Sequence, residues 1–164
     1  MPILPYLTHA PQLGAQTAPA DSAYVVGKVT MAGPARLESS AVLRGDSDQI
    51  QIGARFRMGA GSSIHTDRGS PARVGEDVWL GADVTVHACT VGDGVRVEDG
   101  SRVLSGSAVG AGSIVAAHSL VPEGVSFPAD SYISGTPGRR ERDTTAEERA
   151  ATVAQIAAVL AADA

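Results

Sequence analysis

The sequence is poor in aromatic residues, in cysteine and in long apolar runs. Only 4% of its 164 residues are aromatic, and the single Cys89 excludes an intramolecular disulfide framework. No stretch reaches the length of a membrane span, and Pro2 and Pro5 interrupt the apolar run that a signal peptide needs. We therefore expect a cytoplasmic protein without a membrane partner.

Positive charge is also scarce. The formal net charge of -5 offers no basic stripe for a nucleic acid, so we expect no nucleic-acid partner. Hydrophobic residues make up 43% of the chain, and because so few are aromatic, the core must be filled by aliphatic side chains. The length fits one core and is short for two.

The sequence does contain a repeat with a period of six residues. From Val91 to Val121 every sixth residue is aliphatic, and the same register extends back to Val26 across two loops and one five-residue turn. Glycine directly follows seven aliphatic residues of the repeat, where we expect corners with positive φ and no room for a Cβ atom. The sixteen repeat positions are Val26, Met31, Leu37, Leu43, Ile52, Met58, Ile64, Val74, Leu80, Val86, Val91, Val97, Val103, Val109, Val115 and Val121.

Short strands joined by corners explain this period better than a helix or a β-sandwich does. Three six-residue units form one triangular coil, successive coils pair as parallel strands about 4.8 Å apart, and the aliphatic residues fill the prism. We predict an all-β solenoid of hexapeptide repeats over residues 1–140, with stacked coils over 26–126. The pattern is expected to end after Val121 in a turn-rich exit.

A C-terminal α-helix is predicted within residues 141–164 and is expected to pack on the solenoid. Thr144 or Thr145, with Glu147 or Glu148 three residues later, can form a capping box. An apolar stripe follows at helical spacing and needs a surface to cover, and it consists of Val153, Ile156, Ala157 and Leu160.

Three polar residues fall at equivalent places in successive coils. Arg44, His65 and His87 each directly follow an aliphatic core residue, so they should stack on one face. Two imidazoles one coil apart, with backbones about 5 Å apart, can converge on a metal ion at about 2.0–2.1 Å from each nitrogen. The alternative for this pair is hydrogen bonding at an interface. Two ligands alone do not complete a metal site.

Several segments resemble the γ-class carbonic anhydrases. They are Ala41-Val-Leu-Arg-Gly-Asp46, Ile64-His65, Val86-His-Ala-Cys-Thr-Val-Gly-Asp-Gly94 and Gly135-Thr-Pro-Gly-Arg139. The resemblance implies a left-handed parallel β-helix, a homotrimer and a zinc site at each subunit interface, with two histidine ligands from one subunit and the third from its neighbour. Arg44 and Asp46 match an ion pair of that family whose role is catalytic or structural.

The resemblance also exposes departures at the site. The family's third histidine falls two residues after Leu80, where this chain has Ala82, and a methyl group cannot coordinate zinc. Gly59 and Ala60 replace a polar pair of the family. Asp99, one coil beyond Ala82, is either a compensating ligand from a neighbouring subunit or a solvated interface acid. We therefore expect zinc to be absent or substoichiometric and CO₂ hydration to be inefficient.

Three functional hypotheses remain open. The first is a γ-carbonic anhydrase-like protein, a lyase by resemblance, with an incomplete zinc site formed by His65 and His87, which binds or acts on another small molecule at the subunit interface. The second is a noncatalytic trimeric binding or assembly protein. The third is a hexapeptide acyltransferase that uses acyl-coenzyme A and a histidine base.

Overall fold

The computed structural model describes residues 2–162 and folds them into a three-sided prism. The first face contains β1 (Ile3–Leu4), the first half of β4 (Tyr24–Met31), the first half of β6 (Val42–Ile52), β8 (Ser63–His65), β11 (Thr85–His87), β14 (Arg102–Val103) and β17 (Leu120–Val121). The second face contains β2 (Gln12–Leu13), the second halves of β4 and β6, β9 (Ala72–Val74), β12 (Thr90–Val91), β15 (Ala108–Val109) and β18 (Ser126–Phe127). The third face contains β3 (Thr17–Pro19), β5 (Ala35–Leu37), β7 (Phe56–Met58), β10 (Trp79–Leu80), β13 (Arg96–Val97), β16 (Ile114–Val115), β19 (Ser131–Ser134) and β20 (Arg139–Asp143).

Neighbouring coils pair through parallel strands in register, and β20 alone in the described chain pairs antiparallel, with β19. Ile64 of β8, for example, lies beside Val86 of β11, and Val103 of β14 continues the same row. The predicted fold class is therefore confirmed as a left-handed parallel β-helix of about seven turns with one C-terminal helix.

The aliphatic column fills the interior as predicted, with one exception. Fifteen of the sixteen repeat positions are buried. Val26 was expected inside but is only half-buried, and Val25 is fully buried in its place. The reason is the register of β4, in which Val25 pairs with the inward-facing Leu43 and Val26 pairs with the outward-facing Arg44.

The solenoid is longer than the predicted 26–126. Phe127 and Ile133 continue the six-residue period, and Ile133 is fully buried, so the expectation that the pattern ends after Val121 is wrong. Pro122 and Pro128 suggested that the chain leaves the solenoid here. Each lies in a corner just outside a strand, where proline interrupts no hydrogen bond between strands. At the other end, β1, β2 and β3 form a first coil from the N-terminal segment.

The glycines that follow repeat residues are required by close backbone contact rather than by their φ angle. Only Gly27 among them has positive φ, at +80°, so that part of the prediction is wrong for the others. A Cβ atom on Gly81 would lie 2.7 Å from the backbone nitrogen of Asp99 in the next coil. At these glycine positions the coils thus stack too closely for a side chain.

All variation in coil length occurs at the corner between the first and second faces, which we call the variable corner. Here successive core residues are nine apart from Leu43 to Ile52, ten apart from Ile64 to Val74 and five apart from Val86 to Val91. Core residues across the other two corners keep a spacing of six from Met31 onwards. Loops of different length can therefore project beside the first face without shifting the prism.

The helix α1 (Ala146–Ala161) packs on the third face, where it contacts β5 and β7. Thr145 caps it and forms the predicted box with Glu148. The predicted apolar stripe is partly wrong, because Ile156 is buried with Thr152 whereas Val153 is 43% exposed. The predicted segment 141–164 also includes residues 163 and 164, which lie outside the described residues. Within residues 2–162, no helix has the length and apolar character needed to cross a membrane.

Candidate functional site

The predicted stacking of Arg44, His65 and His87 is confirmed. Arg44 lies beside His65 and His65 beside His87 on adjacent strands of the first face. The two imidazole rings have centroids 4.1 Å apart and planes tilted by 37°. Because each residue directly follows an inward-facing one on its strand, all three side chains point outward from the prism.

The surroundings favour a neutral His65. Partial burial lowers the pKa of His65, and the neighbouring His87 and the Arg44 guanidinium lower it further. A neutral imidazole has a free nitrogen lone pair, which can accept a proton or bind a metal.

Asp67 also belongs to the site, although the sequence analysis did not single it out. Its Oδ1 lies 2.9 Å from Nε2 of His87, and its Oδ2 accepts a hydrogen bond of 3.0 Å from the Ser105 hydroxyl. His87 and the Ser105 hydroxyl lower the pKa of Asp67, so the group is a carboxylate at neutral pH. The side chain of Asp67 is 53% exposed and that of His87 is 27% exposed.

The contact between His87 and Asp67 is short enough for an ion pair or a hydrogen bond. Nε2 of His87 is buried and has no hydrogen-bond partner among the described residues, even though the Asp67 carboxylate is 2.9 Å away.

The loops of the variable corner hold Asp67 in place. Asp67 and Ser70 exchange backbone hydrogen bonds across a tight turn, in which Gly69 has φ of +76°, a conformation that favours glycine. The Thr66 side chain exchanges hydrogen bonds with the backbone of Asp48 in the preceding loop. Asp67 lies in a loop between two repeat segments, so the six-residue period does not predict its position. The turn sequence Asp67-Arg-Gly-Ser70 was the available clue.

Arg44 and Asp46 form an ion pair within one chain. Nε of Arg44 lies 3.4 Å from Oδ2 of Asp46, and 55% of the arginine side chain is exposed. An exposed pair of this kind contributes little to stability. The guanidinium of Arg44 therefore remains accessible beside the histidines.

Ala82 and Asp99 lie together at the corner that joins the third face to the first. Oδ1 of Asp99 accepts a 2.8 Å hydrogen bond from the backbone nitrogen of Ala82. This bond ties the Asp99 carboxylate to the neighbouring coil, while its role as a compensating ligand stays a prediction. Cys89 is buried, and burial raises the pKa of its thiol to about 12, so it does not supply a thiolate at neutral pH.

The family resemblance implies a three-histidine zinc centre, and at its three positions this chain has His65, His87 and Ala82. Two imidazoles are in place on the first face, and Ala82 provides no donor. In residues 2–162, as their side chains stand, no three His, Cys, Asp or Glu residues are arranged to hold a metal ion.

Comparison with known proteins places the chain among the hexapeptide-repeat proteins. Residues 71–105 match the family described as "Bacterial transferase hexapeptide (six repeats)". A crystal structure of a hexapeptide transferase family protein from Anaplasma phagocytophilum superimposes with a TM-score of 0.92 at 28% identity, covering 98% of this chain and 95% of that one. A crystal structure of a protein from Bacillus cereus superimposes on this chain with a TM-score of 0.95 at 26% identity, covering 98% of this chain and 94% of that one.

Proteins related in sequence identify the family within the hexapeptide-repeat class. The protein named "Probable carbonic anhydrase" from Methanocaldococcus jannaschii is 38% identical over 129 residues, covering 79% of this chain and 81% of the relative. Protein YrdA from Escherichia coli K12 is 36% identical over 93 residues, covering 52% of this chain and 50% of the relative, so the chain spans about half the length of that relative. The chain therefore belongs to the γ-carbonic anhydrase-like family of hexapeptide-repeat proteins.

Proposed function

We propose that this chain is a γ-carbonic anhydrase-like protein whose three-histidine zinc centre is incomplete. It assembles as a homotrimer in the cytoplasm, and its histidine cleft at the subunit interface binds or acts on a small molecule other than CO₂. The observation that carries the proposal is Ala82, which stands where the family's third histidine would be. Catalytic zinc sites normally use three protein ligands and leave a fourth position for water.

The residues present still form a site for a small polar ligand. Arg44 offers an accessible cation, His65 a neutral imidazole and Asp67 a carboxylate, all on or beside the first face. In the family, zinc lowers the pKa of bound water to near 7 and so supplies hydroxide. Without a third histidine, the side chains of this cleft are left to bind and orient the ligand and to exchange protons with it.

Metal analysis and repair of the missing ligand test this proposal. Protein purified without chelators should contain zinc well below one per chain and should not accelerate CO₂ hydration measurably. Ala82→His should raise zinc affinity by about 100-fold, because it restores the third ligand, and His87→Ala in that background should abolish the gain. One tightly held zinc per chain with rapid CO₂ hydration in the unmodified protein would contradict the proposal.

A second candidate is an acyltransferase, and the superposition on a hexapeptide transferase family protein favours it. His87 beside the Asp67 carboxylate could serve as a general base toward an acceptor hydroxyl or amine. Calorimetric titration with acetyl-coenzyme A separates the two candidates. Saturable binding favours the transferase, in which His87→Ala should abolish acetyl transfer while binding persists, and no heat of binding favours the first proposal.

A further inference from the structure

The variable corner contains a recess near the N-terminal end of the prism, at the second coil. This coil turns the corner between core positions that are six residues apart, 25 and 31. The equivalent positions of the first coil, 3 and 13, are ten residues apart, and those of the third coil, 43 and 52, are nine apart. A short turn between two longer ones leaves a cavity of about 430 Å³ that is open to solvent.

Polar side chains line this cavity, which we call the N-terminal recess. Its floor belongs to β4, one wall to the segment 8–12 of the first coil, and the other wall to the loop within β6. None of the described residues that line it is acidic. The polar lining residues are Thr8, His9, Gln12, Lys28, Thr30 and Gln49.

Lys28 places an uncompensated positive charge in the N-terminal recess. It is the only lysine of the chain, and it forms no ion pair with any residue between 2 and 162. The ladder between β4 and β6 shifts register at this point, because Gly27 pairs with Gly45 whereas Val29 pairs with Ile50. Lys28 therefore faces a loop of the next coil instead of a partner strand, and its side chain is exposed.

The two acidic residues of that loop have partners of their own. Asp46 is paired with Arg44. The Asp48 carboxylate accepts a 2.7 Å hydrogen bond from the backbone nitrogen of Gln49. Neither residue lines the recess, so the ammonium group of Lys28 is available to a ligand.

We infer that the N-terminal recess binds a small hydroxylated organic anion, of the class of sugar phosphates and sugar acids. The Lys28 ammonium pairs with the phosphate or carboxylate, for which a lysine acts as a point charge. The amides of Gln12 and Gln49 can both donate to and accept from ligand hydroxyls, and the hydroxyls of Thr8 and Thr30 can do the same. The volume lies within the range of small-molecule sites and exceeds what a single inorganic ion would fill.

This site is independent of the proposed function, because the recess shares no residue with Arg44, His65, Asp67 or His87. The chain as a whole carries a net charge of -5 and repels anions, so binding of an anion requires a local group such as Lys28. Since the lining side chains are largely exposed to water, we expect weak affinity that falls further as the salt concentration rises.

Titration of the full-length, ¹⁵N-labelled protein with glucose 6-phosphate and with gluconate tests the inference. Either ligand should shift the amide resonances of Lys28 and Gln49, and the tighter of the two identifies the anionic group that the site prefers. Because Lys28 is the only lysine, ¹³C-methylation of its amine adds a resonance that reports the contact directly. Neutral glucose and inorganic phosphate should each bind at least about tenfold more weakly, because each lacks half of the recognised groups.

Substitutions in the recess separate its charge from its hydrogen bonds. Lys28→Met should weaken binding of glucose 6-phosphate by at least about tenfold, and Gln49→Ala by about threefold. Arg102→Met is the matched control, since it removes one exposed cation from the first face, and it should change the affinity less than about twofold. Thermal unfolding of each variant verifies that it is folded.

Unchanged affinity in Lys28→Met would overturn the inference, as would a wild-type protein in which neither ligand shifts Lys28 at tens of millimolar. Shifts confined to the strands of the first face would overturn it too, because they would place the anion beside Arg44. Inorganic phosphate that binds as tightly as glucose 6-phosphate would refute the hydroxylated ligand. The zinc and CO₂ measurements that test the proposed function do not depend on any of these outcomes.

Discussion

At the scale of single residues, the interior of the prism is narrow and uniform. Each core side chain has the same kind of neighbours above and below, supplied by adjacent coils. Val103 is fully buried between Val86 and Val121, whereas its neighbour Arg102 points outward and is exposed. Two consecutive positions thus have opposite requirements, as expected for a strand.

We expect Val103→Asp to unfold the protein and Arg102→Asp to leave it folded. A buried charge without a partner costs about 3–5 kcal/mol, a large part of the roughly 5–15 kcal/mol that stabilises a typical domain. Circular dichroism during thermal unfolding measures both variants. A cooperative transition of Val103→Asp at the wild-type temperature would contradict the burial of this column.

The candidate site was only partly predictable at this scale. His65 and His87 could be paired from sequence because both follow residues of the repeat, and the repeat fixes which residues are neighbours. Asp67 could not, because its position depends on the path of a loop that the repeat does not describe. Val26 was misplaced for a related reason, since Val25 and Val26 are both aliphatic and only the strand register distinguishes them.

At the scale of elements, the start of α1 is held by a small set of charged and polar groups. The Thr145 hydroxyl accepts from the backbone nitrogen of Glu148, and the Glu148 carboxylate accepts from the backbone nitrogen of Thr145. Arg142 adds two hydrogen bonds to the same carboxylate. The Arg142 guanidinium and the Thr145 backbone together lower the pKa of Glu148 to about 2.

This low pKa predicts that the start of α1 loosens in acid. The folded state holds Glu148 ionised while the unfolded chain has its ordinary pKa near 4.5, so the stabilisation is complete above pH 4.5 and is lost as the pH falls toward 2. Hydrogen exchange of the first amides of α1 should therefore accelerate over this range. Glu148→Gln should remove most of that pH dependence.

Glu147→Gln is the control, since Glu147 is also in the first turn but takes no part in the capping box. An identical acid response in Glu148→Gln and the wild type would refute the assignment. The capping box itself was predictable from sequence, because its residues are adjacent along the chain. The buried face of the helix was not, because it depends on how α1 lies on β5 and β7.

At the scale of the whole molecule, the fold was largely predictable, because one repeated unit determines it. The last coil was missed only because prolines at its corners resemble an exit from the pattern. Assembly belongs to this scale too. From family membership we propose a trimer in which the corner that carries Ala82 faces a neighbouring subunit.

Light scattering at micromolar concentration should give three times the 16.6 kDa mass of the chain. Ala82→Glu should shift the protein toward smaller species, because it adds a charge at the proposed boundary. Ala111→Glu, at the exposed corner between the second and third faces, should leave the mass unchanged. A wild-type monomer would contradict the proposed assembly.

The confinement of length changes to the variable corner has a consequence for how such a protein can diversify. Two corners keep a constant spacing of core residues, and in several coils they turn on a glycine at which a Cβ atom would collide with the next coil. The third corner accepts extra residues at no cost to the column of buried side chains, and it lies directly beside Arg44, His65 and His87. New chemical groups can therefore be acquired next to an old site by lengthening one loop, while the scaffold remains the same. The loop that carries Asp67 illustrates this mode of change.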